Sequence, residues 1–269
     1  MKDLYIPNIR LLRCEYASLF AQEYHWNFPH NSAPYWRLYW NNRTGAAVHT
    51  GGQCIKLTPA RVILVPPNTV ISTSNHGHAW QLYVHFQILT PYHTPSSEII
   101  SVPVSKFLKT IIHDIIRLLA PSARDPHHLA LTAHALVALV FAAIMDKAIH
   151  VPNIDIRILK SLAYLEDHLE ATNPELARAA DMSPNAFCSL FTTQTGYSPH
   201  VYLCEKRIEK ACLMLHFSNA SIKQIAEETR FCDRYHFSRV FKRIQGIGPA
   251  AFRRLNMNPF TSEPSLRNQ

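Results

Sequence analysis

Between Asp233 and Pro249 the chain reads DRYHFSRVFKRIQGIGP. Wound as a helix, this stretch puts Phe237, Val240, Phe241 and Ile244 on one apolar face. Arg234, Tyr235, His236, Arg239, Lys242 and Arg243 lie off that face. Guanidinium and ammonium groups on a rigid helix can donate to phosphates and to the acceptor edge of guanine in a DNA major groove. The bland alternative is a solvated basic face, since amphipathic helices normally carry charge outside. A copy fifty positions upstream, Ser183 to Pro199 (SPNAFCSLFTTQTGYSP), weighs against that alternative. Phe187 matches Phe237, Phe191 matches Phe241, Gly196 matches Gly246 and Pro199 matches Pro249. The outward candidates of this copy, Ser183, Asn185, Ala186, Ser189 and Thr192, are uncharged, and Ser189 stands where the second copy has Arg239. Such side chains reach thymine methyls and phosphates but cannot make a bidentate guanine contact. The second copy is therefore expected to supply more affinity, and the first to contribute fit.

The N-terminal third carries a different chemistry. Trp26, His30, Trp36, Arg37, Tyr39, His76, His78, Trp80, Tyr83 and His85 mix aromatic rings with a few polar groups, the composition of sites that hold small polar ligands. Strand alternation puts Trp36, Leu38 and Trp40 on one side and Tyr35, Arg37 and Tyr39 on the other. Which side lines a cavity, and which is ordinary core, stays open at this level. His76-Gly77-His78 has a spacing that places two imidazoles on one side of a strand, among sixteen histidines in all. No carboxylate follows until Glu98, and no third ligand stands out. No metal, cofactor or catalytic residue is expected.

These side chains need elements to hold them. Up to about residue 103, short aromatic and β-branched runs (Trp36–Trp40, Gln53–Leu57, Arg61–Val65, Gln81–Ile88) are broken by turn sequences such as HTGG and PPN. That pattern predicts a small sandwich or barrel. Residues 104–120 switch to a helical stripe that Pro121 stops, and residues 127–149 predict a second helix. The second contains a 17-residue apolar run at 129–145, interrupted by Thr132 and His134 and closed by Asp146-Lys147. A membrane span wants about 20 apolar residues, so a helix buried on the sheet or on a second subunit is the expectation. HVPN (150–153) reads as a linker. From Ile154 onward the period is helical, with Ser198-Pro199 opening a long helix and Ser221-Ile222-Lys223-Gln224 a capping-box start. Residues 257–269 read as a polar tail.

The bulk numbers fit this division. The 269 residues suit two domains, and 47% apolar residues fill real cores. A formal charge of +8 suits a polyanionic partner, with 8 basic against 3 acidic residues concentrated in 223–254. Six scattered cysteines without a CxxC predict free, buried thiols in a reducing compartment, hence a cytoplasmic protein. The start, MKDLYIPNIR, does not have the pattern of a signal peptide.

Over 154–254 the chain resembles the AraC/XylS family of bacterial transcription regulators. The resemblance rests on Leu176, Ala177, Met182, Ser183, Phe187, Leu190, Phe191, Gly196, Ser198 and Pro199 in the first repeat. It rests equally on Ser221, Ile222, Ile225, Ala226, Phe237, Ser238, Phe241, Lys242, Gly246 and Pro249 in the second. Tyr202, Leu203, Arg207 and Ile208 lie between them like the family's linker helix. The turn before each recognition helix often holds Gly in that family, whereas Asp181 and Arg230 stand here. The resemblance implies an α+β protein. Residues 1–149 would form a cupin-like β-barrel or jelly roll with two helices, for ligand sensing and dimerisation. Residues 154–256 would form an all-α seven-helix domain with two helix-turn-helix units, at about 174–195 and 221–245. It further implies a ligand-responsive, DNA-binding activator, dimeric through its N-terminal half, acting with RNA polymerase and answering to a sugar or related polar metabolite. A metal-dependent cupin enzyme fused to a DNA-binding tail, and a regulator without an effector, are the competing readings.

Overall fold

The computed structural model describes residues 9–19, 26–29, 31–88, 98–120, 125–144 and 154–256, with side chains to 254. The chain divides into two compact units, Met1–His150 and Val151–Gln269. The expected linker and tail lie outside the described residues.

The first unit builds strands β1 (Ile9–Ser18), β2 (Trp36–Asn41), β3 (Ala46–Thr50), β4 (Gln53–Leu57), β5 (Arg61–Val65), β6 (Ser72–Asn75), β7 (Trp80–Ile88) and β8 (Ile100–Pro103). They form a five-stranded sheet in the order β1-β7-β2-β5-β8 and a three-stranded sheet in the order β4-β3-β6. Every paired strand is antiparallel. Two helices follow, α1 (Lys106–Leu118) and α2 (Pro126–Ala142). Ser105 caps α1 by accepting from the Leu108 amide at 3.2 Å, and Asp125 caps α2 by accepting from the His127 and His128 amides.

Strand alternation sorts the five-stranded sheet. Trp36, Leu38 and Trp40 join Leu82, Val84, Phe86, Val62 and Leu64 in one core with Leu108, Ile112 and Ile115 of α1 and Leu136, Val137, Val140 and Phe141 of α2. The apolar run of α2 thus packs on this sheet through one face only, and Leu131 on the opposite face is 71% exposed. His134, inside that run, sets its Nε2 2.8 Å from the Ile9 carbonyl and pins α2 to β1. The helix ends at Ala142, and the remainder of the expected 127–149 span, from 145, lies outside the described residues. Among the described residues no helix is long and apolar enough to cross a membrane.

The second unit is helical: α3 (Ile156–Asp167), α4 (Asn173–Ala179), α5 (Pro184–Thr195), α6 (Pro199–Phe217), α7 (Ile222–Glu228), α8 (Arg234–Gln245) and α9 (Pro249–Asn256). It holds two cores. Ile158, Leu162, Leu176, Phe187 and Phe191 share the first with Tyr202 and Leu203 of α6. Ile225, Phe231, Phe237, Phe241 and Phe252 share the second with Ile208, Ala211, Cys212 and Leu215 of α6. One helix therefore serves as the common wall of both cores, at about 1.5 Å of rise per residue.

Two expectations need correction. The six cysteines are free, as their scatter implies, but only Cys212 is fully buried while Cys54 and Cys232 are exposed. Scatter reports the lack of pairing and carries no information on depth. Ile244 was expected on the apolar face of α8 and is 36% exposed, because the helix turns that position to the rim beyond Phe241.

Candidate functional site

The two repeats are the same object built twice. Helix α4 opens with a capping box between Thr172 and Glu175, and α7 with one between Ser221 and Gln224. Each then ends in a left-handed residue, Asp181 at φ 54° and Arg230 at φ 61°. In both turns the next amide reaches back five residues, Met182 to the Ala177 carbonyl and Phe231 to the Ala226 carbonyl, each at 2.9 Å. That is the Schellman closure, which favours Gly at the left-handed position. The absence of Gly from the sequence did not change the turn. Arg230 and Asp181 adopt it, at a cost of about 1–2 kcal/mol for a side chain there.

Helices α5 and α8 follow these turns. Phe187 and Phe191 lie 5.3 Å apart in α5, and Phe237 and Phe241 lie 5.5 Å apart in α8, all fully buried. Gly196 and Gly246 end the two helices at the same φ of 77°, with amides bonded back to Thr192 and Lys242. The buried phenylalanines fix which side points out. Ser183, Asn185, Ala186, Ser189 and Thr192 are exposed on α5 and its cap, and Arg234, Tyr235, Arg239, Lys242 and Arg243 on α8, with His236 half-buried. Tyr235 is 73% exposed, and the Arg234 guanidinium lies 5.4 Å from its ring.

The outer faces differ in chemistry. Thr192 and Thr193 donate their hydroxyls to the Cys188 and Ser189 carbonyls at 2.7 and 2.9 Å. Their hydrogens are committed, so α5 offers methyls, an amide and a serine hydroxyl. Helix α8 offers free cationic donors. Asp233 caps it by accepting from the Tyr235 and His236 amides at 2.7 and 2.8 Å, and those bonds hold its carboxyl below the usual range.

In the first unit the structure brings together part of the aromatic and polar set. Tyr35, Arg37, Tyr39, Tyr83 and His85 share one face of β2 and β7 and its entry. His85 lies 5.0 Å from Tyr35, 6.4 Å from Tyr39 and 5.1 Å from Tyr83, and Trp26 meets Tyr39 edge-on at 5.1 Å. Arg37 donates to Asn31 Oδ1 and to the Thr69 carbonyl, each at 2.7 Å, and bonds the Tyr39 side chain. Burial pulls its guanidinium down from the ordinary value, and the Tyr39 and Tyr35 oxygens oppose that.

Other candidates fall elsewhere. Trp36 faces the helices, stacked on Phe86 and edge-on to Phe141, and belongs to the core. His76 and His78 are exposed in the turn before β7, not on one side of a strand, because the register of β6 with β3 ends at Asn75. Trp80 starts β7, 45% exposed and stacked on Tyr16 at 5.2 Å. His30 lies outside the described residues. Among the described residues no group of three or more His, Cys, Asp and Glu is placed to hold a metal ion. Sequence reasoning passed over Asn31, Thr69, Asn41 and Gln81, which are buried or bonded on this same side. The alternation that selected Arg37 also pointed to Asn41 and Gln81, but nothing local marks Asn31 or Thr69, which reach Arg37 from connecting segments.

A family model described as a helix-turn-helix domain matches residues 176–255. The arabinose operon regulatory protein of Salmonella typhimurium is 32% identical over 114 residues, which is 41% of this chain and 40% of that protein. The transcriptional activator RhaS of Klebsiella pneumoniae is 34% identical over 128 residues, 45% of each chain. The matched stretches thus span less than half the length of these relatives. Over residues 176–255 the chain is similar to these regulators and carries a helix-turn-helix domain. The fatty-acid-bound structure of ToxT from Vibrio cholerae aligns over 97% of this chain and 100% of its own at a TM-score of 0.53 and 12% identity, a likeness of fold. The chain is α+β, a sheet domain followed by a helical one.

Proposed function

We propose that the chain is a sequence-specific, DNA-binding transcriptional regulator that answers to a small ligand. The observation that carries this is the duplicated unit: two helices held by identical Schellman turns and buried phenylalanine pairs, joined through α6, with α8 presenting Arg234, Arg239, Lys242 and Arg243 outward. Ser183, Asn185, Ala186, Ser189 and Thr192 on α5 and Arg234, Tyr235, His236, Arg239, Lys242 and Arg243 on α8 are the DNA-facing residues in this reading. The seven helices of the second unit then form one domain that spans two successive major-groove entries, about 34 Å apart.

The first unit is read as a cupin-like sensor. Its buried face of Trp26, Arg37, Tyr39, Tyr83 and His85 supports a ligand site, while Trp36 leaves the set. The name of one relative, the arabinose operon regulatory protein, makes a sugar or similar metabolite the first class to consider. A homodimer through this unit, RNA polymerase as partner of an activator, and a cytoplasmic location complete the proposal. The enzyme alternative draws no support from His76 and His78, whose exposed turn has no third ligand beside it among the described residues.

Genome-wide mapping of bound sites in the source organism tests the function directly, since it yields the repeat spacing and the neighbouring operon. In vitro, affinity for a mapped site should fall at least about tenfold between 50 and 200 mM salt, because phosphate contacts release counterions. Binding that stays flat over that range argues against groove binding by α8.

A further inference from the structure

Arg37 is the one arginine fully buried in the first unit among the described residues, at 1% exposure. Its partners among the described residues are all neutral: Asn31 Oδ1, the Thr69 carbonyl and the Tyr39 hydroxyl. The Asn31 carbonyl oxygen adds a long contact at 3.5 Å. Its Nε–H, also buried, makes no hydrogen bond among the described residues. The carboxylate on the same strand face, Glu15, is taken by Arg13 at 2.6 Å and by the Tyr83 hydroxyl. A buried guanidinium without a countercharge is costly, and one left with an unmet donor more so. A tether between β2 and the two connecting segments does not by itself call for a charge, since a neutral amide donor would reach the same carbonyl.

The unmet Nε–H marks the side-on edge of the guanidinium, one of the two edges at which a carboxylate binds with two parallel bonds. In a low-dielectric setting such a pair is far stronger than in water. Around the group stand Tyr35, Tyr39 and Trp26, with His85 against the tyrosines. Their faces suit the carbon skeleton of a small molecule. Nothing on this face supplies a carboxylate for that edge from within the described chain.

We propose that this face of the sheet binds a small carboxylate, with Arg37 taking the acid group and Trp26 and Tyr39 bordering its carbon skeleton. The proposal rests on the effector reading above and narrows it from a neutral sugar to an acid, either a sugar acid or an aromatic acid.

Thermal shift and calorimetry on the full chain test it with D-galacturonate, D-gluconate and benzoate against their uncharged counterparts D-galactose, D-glucitol and benzyl alcohol. At about a hundred times its dissociation constant, one acid should raise Tm by roughly 5–10 °C while its counterpart leaves it unchanged. Arg37→Gln should weaken that acid at least about tenfold. Arg37→Lys, which keeps the charge and loses the fork, should retain part of the binding and guards against a misfolded Gln variant. Equal shifts from acid and counterpart overturn the charge assignment and leave the effector reading standing. Shifts from the neutral compounds alone do the same. No shift from any of the six overturns the proposal together with that reading. Undiminished acid binding by a folded Arg37→Gln variant removes Arg37 from the site and overturns it also.

Discussion

Arg239 and Ser189 occupy the same place in the two repeats, and the difference between them sets what each helix can do. Arg239 is exposed and makes no ion pair among the described residues, so its fork is available to guanine or phosphate. Replacing it with Ala should cost roughly 1–3 kcal/mol of DNA binding across a half-site library. Asn185→Ala should cost clearly less, and equal losses would remove the asymmetry. Arg230 shows the reverse situation, a side chain where the backbone would rather have none. Its φ of 61° serves the Schellman turn, and the amide of Phe231 closes that turn whatever residue stands at 230. Arg230→Gly should therefore raise stability by up to about 1 kcal/mol, with DNA affinity little changed, measured by urea unfolding. At Asp181 the same change should give less, since Asp tolerates the left-handed region better. Its ion pair with Lys160 at 3.0 Å would also be lost.

At the scale of the element, the helices of the second unit depend on their caps. Asp155 accepts from the Arg157 amide and pairs with its guanidinium at 2.7 Å, which holds its carboxyl down to about 2. Asp233 is lowered likewise by the His236 and Tyr235 amides. Both folded values lie below the unfolded one. The stability they contribute is therefore complete above about pH 4 and is lost as pH falls below it, for Asp155 toward about 2. Asp155→Asn and Asp233→Asn should flatten the acid limb of a Tm-versus-pH curve and lower Tm by a few degrees at neutral pH. An unchanged acid limb would mean that the caps do not couple to global unfolding. Helix α6 has a different task. Because it closes both cores with Tyr202 and Leu203 at one end and Ile208 to Leu215 at the other, its rigidity sets how α5 and α8 are presented together.

At the scale of the molecule, the outer face of α2 matters most. Leu131, Ala135 and Ala138 are exposed there although the helix is almost wholly apolar. Exposed apolar surface on a helix that already packs its other side suits a second subunit. Leu131→Glu should turn the proposed dimer into a monomer in sedimentation velocity without lowering Tm by more than about 2 °C, because that side chain contributes little to its own core. A dimer that survives the change places self-association elsewhere. Much of this architecture was legible beforehand. The duplicated Phe and Gly spacing declared two identical units, since a helix of period 3.6 must turn those positions to one side. The strand-to-helix change near residue 103 was visible as a change of period. Local chemistry determined these features, and it determined the capping box at Ser221 in the same way. Other features needed the folded chain. Strand alternation said that Trp36 and Arg37 face opposite ways, but only the packing of α1 and α2 decided that Trp36 is core. Asn31 and Thr69 meet Arg37 from segments distant along the chain, and such encounters leave no trace in local spacing. The left-handed turns at Asp181 and Arg230 were decided in the same way: the cores on both sides hold the turn closed, and the side chain at the turn yields to them.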